Sequence, residues 1–239
     1  RYCEQVELKD LEEVIYGNTE NALRSILRLL ERKDATADGL TTMRKNTFAR
    51  HLVDYRCEEV VTYLLFAKRV EPYVINRGGY NFKQRETDRV AMKRLIDDGL
   101  DIFRTVESHY VRLRYAYQLV RLAHYLKEYD YVLRLYDYLK PMIEANPSIL
   151  YDWVEVHRAG ALQATGDFTT SAYLYSRIFE RCASKRLSAY SSFKIRTDAE
   201  WQAASNLCAN DHDRAMLHVM RAQNRRAVVL EEKEKIYAL

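Results

Sequence analysis

Glycine and proline are what this chain has least of. Seven glycines and three prolines make up about 4% of its 239 residues, where average usage is roughly 12%. A sandwich, barrel or doubly wound sheet of this length needs many tight connections, most of them wanting Gly, Pro or Asn at special backbone angles. Their scarcity excludes those folds and predicts few turns and long elements. Long apolar runs are missing too. The longest uncharged one covers residues 60–67, far short of the about 20 residues that cross a bilayer, so no integral membrane segment is expected. The four cysteines, Cys3, Cys57, Cys182 and Cys208, form no Cys-x-x-Cys pair, which excludes the usual zinc and thioredoxin-type motifs. Cys182 and Cys208 read as buried free thiols serving as small hydrophobes.

Nor is there charge of one sign. The net charge is +4, with basic against acidic residues at 15 to 14 over residues 1–86 and 23 to 20 over the rest. Neither half is a basic arm, which argues against nucleic acid as the partner. No apolar leader follows Arg1, and the chain closes on a helical-looking stretch at 231–239 without a stop. We therefore expect a piece of a longer protein, and the residues favour neither a cytoplasmic nor an extracytoplasmic location.

What is present is helical periodicity. Ala22, Leu23, Ile26, Leu27 and Leu30 fall on one helical face, with Arg24, Arg28 and Glu31 on the other. Apolar positions continue through residues 48–70, and the helix is expected to weaken at Pro72. The run Asn76-Arg77-Gly78-Gly79-Tyr80-Asn81 reads as a flexible loop, followed by a helix capped by Thr87 or Asp88 and reaching about residue 106. From residue 108 the pattern sharpens into two helical hairpins. Ala116, Leu119, Ala123 and Leu126 face Val132, Tyr136, Leu139 and Ile143 across a break at 128–130. Leu150, Val154, His157 and Ala161 then face Ala172, Tyr175, Phe179 and Cys182 across a turn at 165–168.

The hairpins resemble each other. Ala123 and Leu162, Tyr136 and Tyr175, and Leu139 and Ile178 are each 39 residues apart. Three turns share a leading Gly or Asn and a small residue five later: Gly17 with Ala22, Gly166 with Ser171, and Asn210 with Ala215. A Gly or Asn there is expected to end its helix in the left-handed conformation, and the small residue to let the next helix approach closely. Gly166-Asp167-Phe168 with Ser171 and Tyr175 resembles the turn of tetratricopeptide repeats, more loosely echoed by Asn210-Asp211-His212 with Ala215, and by Tyr129, Tyr136 and Pro147. Spacings of 39 and 44 residues depart from that family's usual 34, and its Trp and Leu-Gly positions are missing. The resemblance covers residues 108–220, with an echo at 10–32. It implies an all-α fold, an α-solenoid of antiparallel hairpins wound as a right-handed superhelix, and a role in binding proteins.

Chemistry-bearing clusters are sparse. His51, Asp54 and Glu58 share a helix face, and Asn210-Asp211-His212-Asp213 gathers possible ligands, but a solvated face and a turn account for them better than a metal. Arg77-Gly78-Gly79-Tyr80 lacks the strand and spacing of a phosphate loop. No cofactor motif and no nucleophile–base–acid set is legible, so no enzyme is expected. Tyrosine is abundant: there are 19, and eight of them, at 110, 115, 117, 125, 129, 131, 136 and 138, interleave with Arg112, Arg114, Arg121 and Arg134. Tyr and Arg are the commonest interface anchors, although half of these tyrosines fall on core faces.

The expected organisation is an N-terminal helical group over 1–85 and a repeat array over 86–239, with about nine to eleven helices in all. Its expected function is non-catalytic: a scaffold binding a protein or peptide partner on a concave face that includes Arg114, Tyr117, Gln118, Arg121 and Tyr125, with Trp153 and His157 from the next pair. The alternative is a regulatory or targeting segment of a larger enzyme or membrane-associated assembly.

Overall fold

The structure, a computed structural model, describes residues 5–17, 20–31, 45–75, 84–144, 148–224 and 236. Among the described residues there are twelve α-helices and no strand: α1 (Leu8–Tyr16), α2 (Glu20–Leu30), α3 (Thr47–Asp54), α4 (Glu58–Val74), α5 (Gln84–Thr105), α6 (His109–Tyr125), α7 (Tyr129–Ile143), α8 (Ile149–Ala164), α9 (Phe168–Arg181), α10 (Arg186–Ser192), α11 (Asp198–Asn206) and α12 (Asp211–Asn224). They fall into two compact units, one up to Gln118 and one from Leu119. The loop at 76–81, on which a division near residue 85 was expected, lies outside the described residues, as does Cys3.

Several expectations need correction. The periodic run 48–70 is two helices, because Arg56 adopts a left-handed backbone (φ 52) and turns the chain between α3 and α4. α4 continues through Pro72 to Val74, since a proline in the last turn costs only one helical hydrogen bond. α5 starts at Gln84, so Thr87 and Asp88 lie inside the helix and not at its cap. Of the three turns expected to be left-handed, only that at Gly166 (φ 100) is so. Gly17 donates its N–H to Glu13 and leaves extended, with φ −66 and ψ 170. Asn210 instead caps the next helix, its side chain accepting from the Asp213 N–H at 2.9 Å.

One turn recurs without needing glycine. Arg56, Lys127 (φ 63) and Gly166 each take the left-handed conformation, and each is followed by one capping residue and then the first residue of a helix. At two of them the N–H of the next residue closes on the helix before: Cys57 to Leu52 O and Asp167 to Leu162 O, both at 2.8 Å. This is the wide hydrogen bond that ends helices at a left-handed residue.

In the first unit α1 packs on α3, α2 on α3 and α4, and α4 on α5, around Leu23, Ile26, Leu52, Val61, Phe66 and Ile96. A polar clasp fastens α1 to α3. Asp10 accepts from both the N–H and the hydroxyl of Thr47 at 2.7 Å, and Asn46 donates to the Asp10 carbonyl at 3.0 Å while capping Ala49 at 2.8 Å. Glu59 accepts from the N–H groups of Glu107 and Ser108, at 2.6 and 3.0 Å, ahead of α6.

The second unit is built on α9, against which α8, α10, α11 and α12 all pack. Alanines stand where these helices meet: Ala159, Ala172, Ala189 and Ala204 are fully buried. Tyr175, Ile178, Phe193, Trp201, Leu217 and Met220 fill the space around them, and Cys182 and Cys208 are buried free thiols in the same core. Arg177 bonds Asp213 and so ties α9 to α12, while Arg181 holds Asp152 of α8 at 2.8 Å.

Two outcomes follow from these local arrangements. Gly166→Ala should lower stability by about 1 kcal/mol or more, because a Cβ is strained at that φ, and Arg56→Gly should raise it by about 0.5 kcal/mol. Urea midpoints moving in the same direction for both would contradict this account. The Thr47 N–H and hydroxyl also hold the Asp10 carboxyl below the usual carboxylate range. The unfolded chain then binds more protons, so the clasp supports folding above about pH 4 and loses that support as the pH falls further. The stability gap between the parent and Asp10→Asn should accordingly be widest near pH 7 and close below pH 4, and a gap independent of pH would refute the assignment.

Candidate binding hollow

The last turn of α6 buries Leu122 and Ala123, as does the chain just beyond it at Leu126, and leaves His124 and Tyr125 on the other side, Tyr125 being 46% exposed. The left-handed Lys127 reverses the chain and starts α7 at Tyr129. Opposite, α8 places Gly160 against the His124 ring. A Cβ at residue 160 would lie 2.7 Å from His124 Cε1 and 3.3 Å from the Tyr175 hydroxyl, so only glycine admits both side chains as they stand. The His124 ring centroid lies 5.0 Å from His157 and 5.5 Å from Tyr129. Gln163 of α8 donates to the Ser192 carbonyl at 2.8 Å, fastening the end of α10 to α8.

Together these residues enclose an open hollow of about 630 Å³, within the size range of ligand sites. Tyr125, Tyr129, Phe168 and Tyr175 supply aromatic walls, His124 and His157 imidazoles, and Lys127 and Lys194 exposed ammonium groups. The Arg196 guanidinium lies over the Phe168 ring at 3.6 Å and the Lys194 ammonium at 5.7 Å. A neighbouring hollow of about 590 Å³ shares Lys127 and Tyr129 and adds Glu128, Asp130 and Arg134.

The two imidazoles are held neutral. Burial pushes His124 below its ordinary pKa, partly offset by the bond to the His157 carbonyl. Burial pushes His157 well below, aided by competition with His124 for a proton and by the positive charges of Lys185 and Arg121. Because His124 Nδ1 donates to the His157 carbonyl at 3.2 Å, its neutral form carries the proton there and keeps a lone pair on Nε2.

Of the residues expected on one face, Tyr125 and His157 do share this hollow, with ring centroids 6.4 Å apart. Arg121 lies 5.9 Å over the Tyr125 ring. Trp153 sits apart from them, donating to Ser184 at 2.9 Å beneath the Lys185 ammonium at 4.8 Å. Arg114, Tyr117 and Gln118 belong to the first unit. There Tyr117 and Gln118 are buried, 7% and 9% exposed. Gln118 donates to the Tyr63 hydroxyl at 3.3 Å, and Arg114 lies 4.4 Å over the Tyr110 ring. The other candidates take structural partners. His51 stacks on Tyr55 at 4.4 Å, Asp211 pairs with Arg214 at 2.6 Å, and His212 bonds Glu180. Among the described residues no three His, Cys, Asp or Glu side chains gather as metal ligands. The Arg77–Tyr80 loop lies outside them.

The sequence reading missed Lys127, Gly160, Gln163, Phe168 and Lys194 as parts of one site. Gly160 alone carried a local signal, a glycine inside an otherwise unbroken helical pattern, where it costs roughly 1 kcal/mol relative to alanine unless something must come close. Among the described residues no helix is long and apolar enough to cross a membrane. No protein-family model, no curated protein and no solved structure matches the chain.

With both folded pKa values below the ordinary 6.5, the unfolded chain binds more protons just under that pH. Stability should therefore fall as the pH drops from about 7 towards 5. Urea midpoints across that range should show the decline, reduced in His124→Asn, whose amide can still donate to the His157 carbonyl. A midpoint that is flat from pH 7 to 5 in the parent would contradict the neutral pair.

Proposed function

We propose that the chain is a non-catalytic helical-repeat scaffold, an α-solenoid of antiparallel hairpins similar to tetratricopeptide repeats, which binds a segment of a partner protein. The observation that carries this reading is the placement of the aromatic hollow. Its lining draws on α6 and α7 of one hairpin and on α8 and α9 of the next, and stacked hairpins offer extended binding surfaces across such junctions. The left-handed turns at Lys127 and Gly166, 39 residues apart, support a repeated unit. Tyr125 and Arg121 bring the residue types that anchor interfaces.

A photo-crosslinking amino acid at position 125 tests the reading in a lysate of the source cells. The expected result is a discrete protein adduct at position 125, absent when the same group stands at the exposed Tyr16 of the first unit, and at least about tenfold weaker with Arg121→Glu. Equal labelling at both positions, or no adduct at 125, would overturn it.

A further inference from the structure

The charges around the hollow are lopsided. No Asp or Glu is among the residues that line it, while Lys127 and Lys194 are. Among the described residues no carboxylate pairs with either ammonium. Elsewhere in the same unit Arg158, Arg177, Arg181, Arg196, Arg214 and Arg221 each hold a carboxylate. The adjoining hollow is balanced, with Glu128 and Asp130 set against Lys127 and Arg134. Arg121 and Lys185 add positive potential at His157 from another side. A low-dielectric concavity lined by one sign of charge focuses its field on the ligand. The aromatic walls meanwhile suit an apolar or aromatic side chain.

Resting on the reading of the chain as a protein-binding scaffold, we infer that the hollow of the second unit takes an extended acidic segment of its partner, with Asp or Glu carboxylates at Lys127 and Lys194 and an apolar or aromatic residue between them against Tyr129 and Phe168. Carboxylate–ammonium pairs at the rim set the sign of the partner and the salt dependence, while ring contacts supply the buried part of the affinity. The neutral imidazoles suit this occupant. His124 Nε2 keeps a lone pair that can accept a backbone N–H from the segment.

Selection of a random twelve-residue peptide library against the full chain tests the inference. The selected peptides should be net negative with an aromatic or large aliphatic residue among the acids. The best of them should lose at least about tenfold in affinity for Lys127→Glu/Lys194→Glu and weaken as salt rises. Both lysines are exposed, and circular dichroism verifies that the variant folds. Lys9→Glu/Lys45→Glu, an equal change of net charge on exposed residues of the first unit, should leave the affinity unchanged. Peptides that are neutral or basic yet lost on Phe168→Ala would overturn the acidic assignment and leave the scaffold reading standing. If no selected peptide depends on the lysine pair or on Phe168, both fall. A thymidine oligonucleotide binding more tightly than the best peptide, and lost with the lysines, would replace the protein segment by nucleic acid.

Discussion

The second unit depends on how closely four helices can approach α9. A helix of fourteen residues offers little surface, and α8, α10, α11 and α12 share it only because the meeting points are small. Ala159, Ala172, Ala189 and Ala204 are fully buried, so the backbones come near and the large side chains fill the space between the contacts. Enlarging any of these alanines would move a whole helix, since a packed core has no slack. The same closeness fixes Tyr175 and Phe168, which α9 contributes to the hollow. Its floor is a second case of the constraint, where Gly160 yields the space taken by the His124 ring and the Tyr175 hydroxyl.

Charge fastens what the alanines bring together. Arg177 bonds Asp213, whose other oxygen accepts the Ala209 N–H at 3.2 Å, and Asp213 is buried. A buried carboxylate held in this way stabilises only while its cation remains, so loss of Arg177 would strand the charge against α9. Six arginines of this unit are thus committed to carboxylates, whereas Lys127 and Lys194 at the hollow hold none among the described residues.

Periodicity made the all-α fold legible in the sequence, and the hairpins after residue 108 stood out because their apolar faces recur at 39-residue spacing. The turns were less legible. Gly166 announced itself, but Arg56 and Lys127 occupy the same left-handed conformation with side chains that ordinarily avoid it, and a long basic residue gives no local sign of that. The left-handed conformation costs each of them about 1–2 kcal/mol, sustained by the helices on either side. The tyrosine-rich stretch showed that aromatic residues and arginine are interleaved. Which of them face outward is a matter of rotation about α6, where Gln118 turned inward to Tyr63 and Tyr117 is buried as well. The hollow itself draws on residues 124 to 194, and no pattern along the chain links Lys127 to Lys194. Only the packing of α8 against α9 and α10 brings those segments together.

Hydrogen exchange of the full chain with and without its crosslinked partner tests the central claim most directly. If the hollow is the binding site, added protection will be confined to residues 124–129, 156–168 and 188–194 and to the turn of α9 around Tyr175, which line it. Protection concentrated in the first unit, or on α12 with those stretches unchanged, would contradict the account.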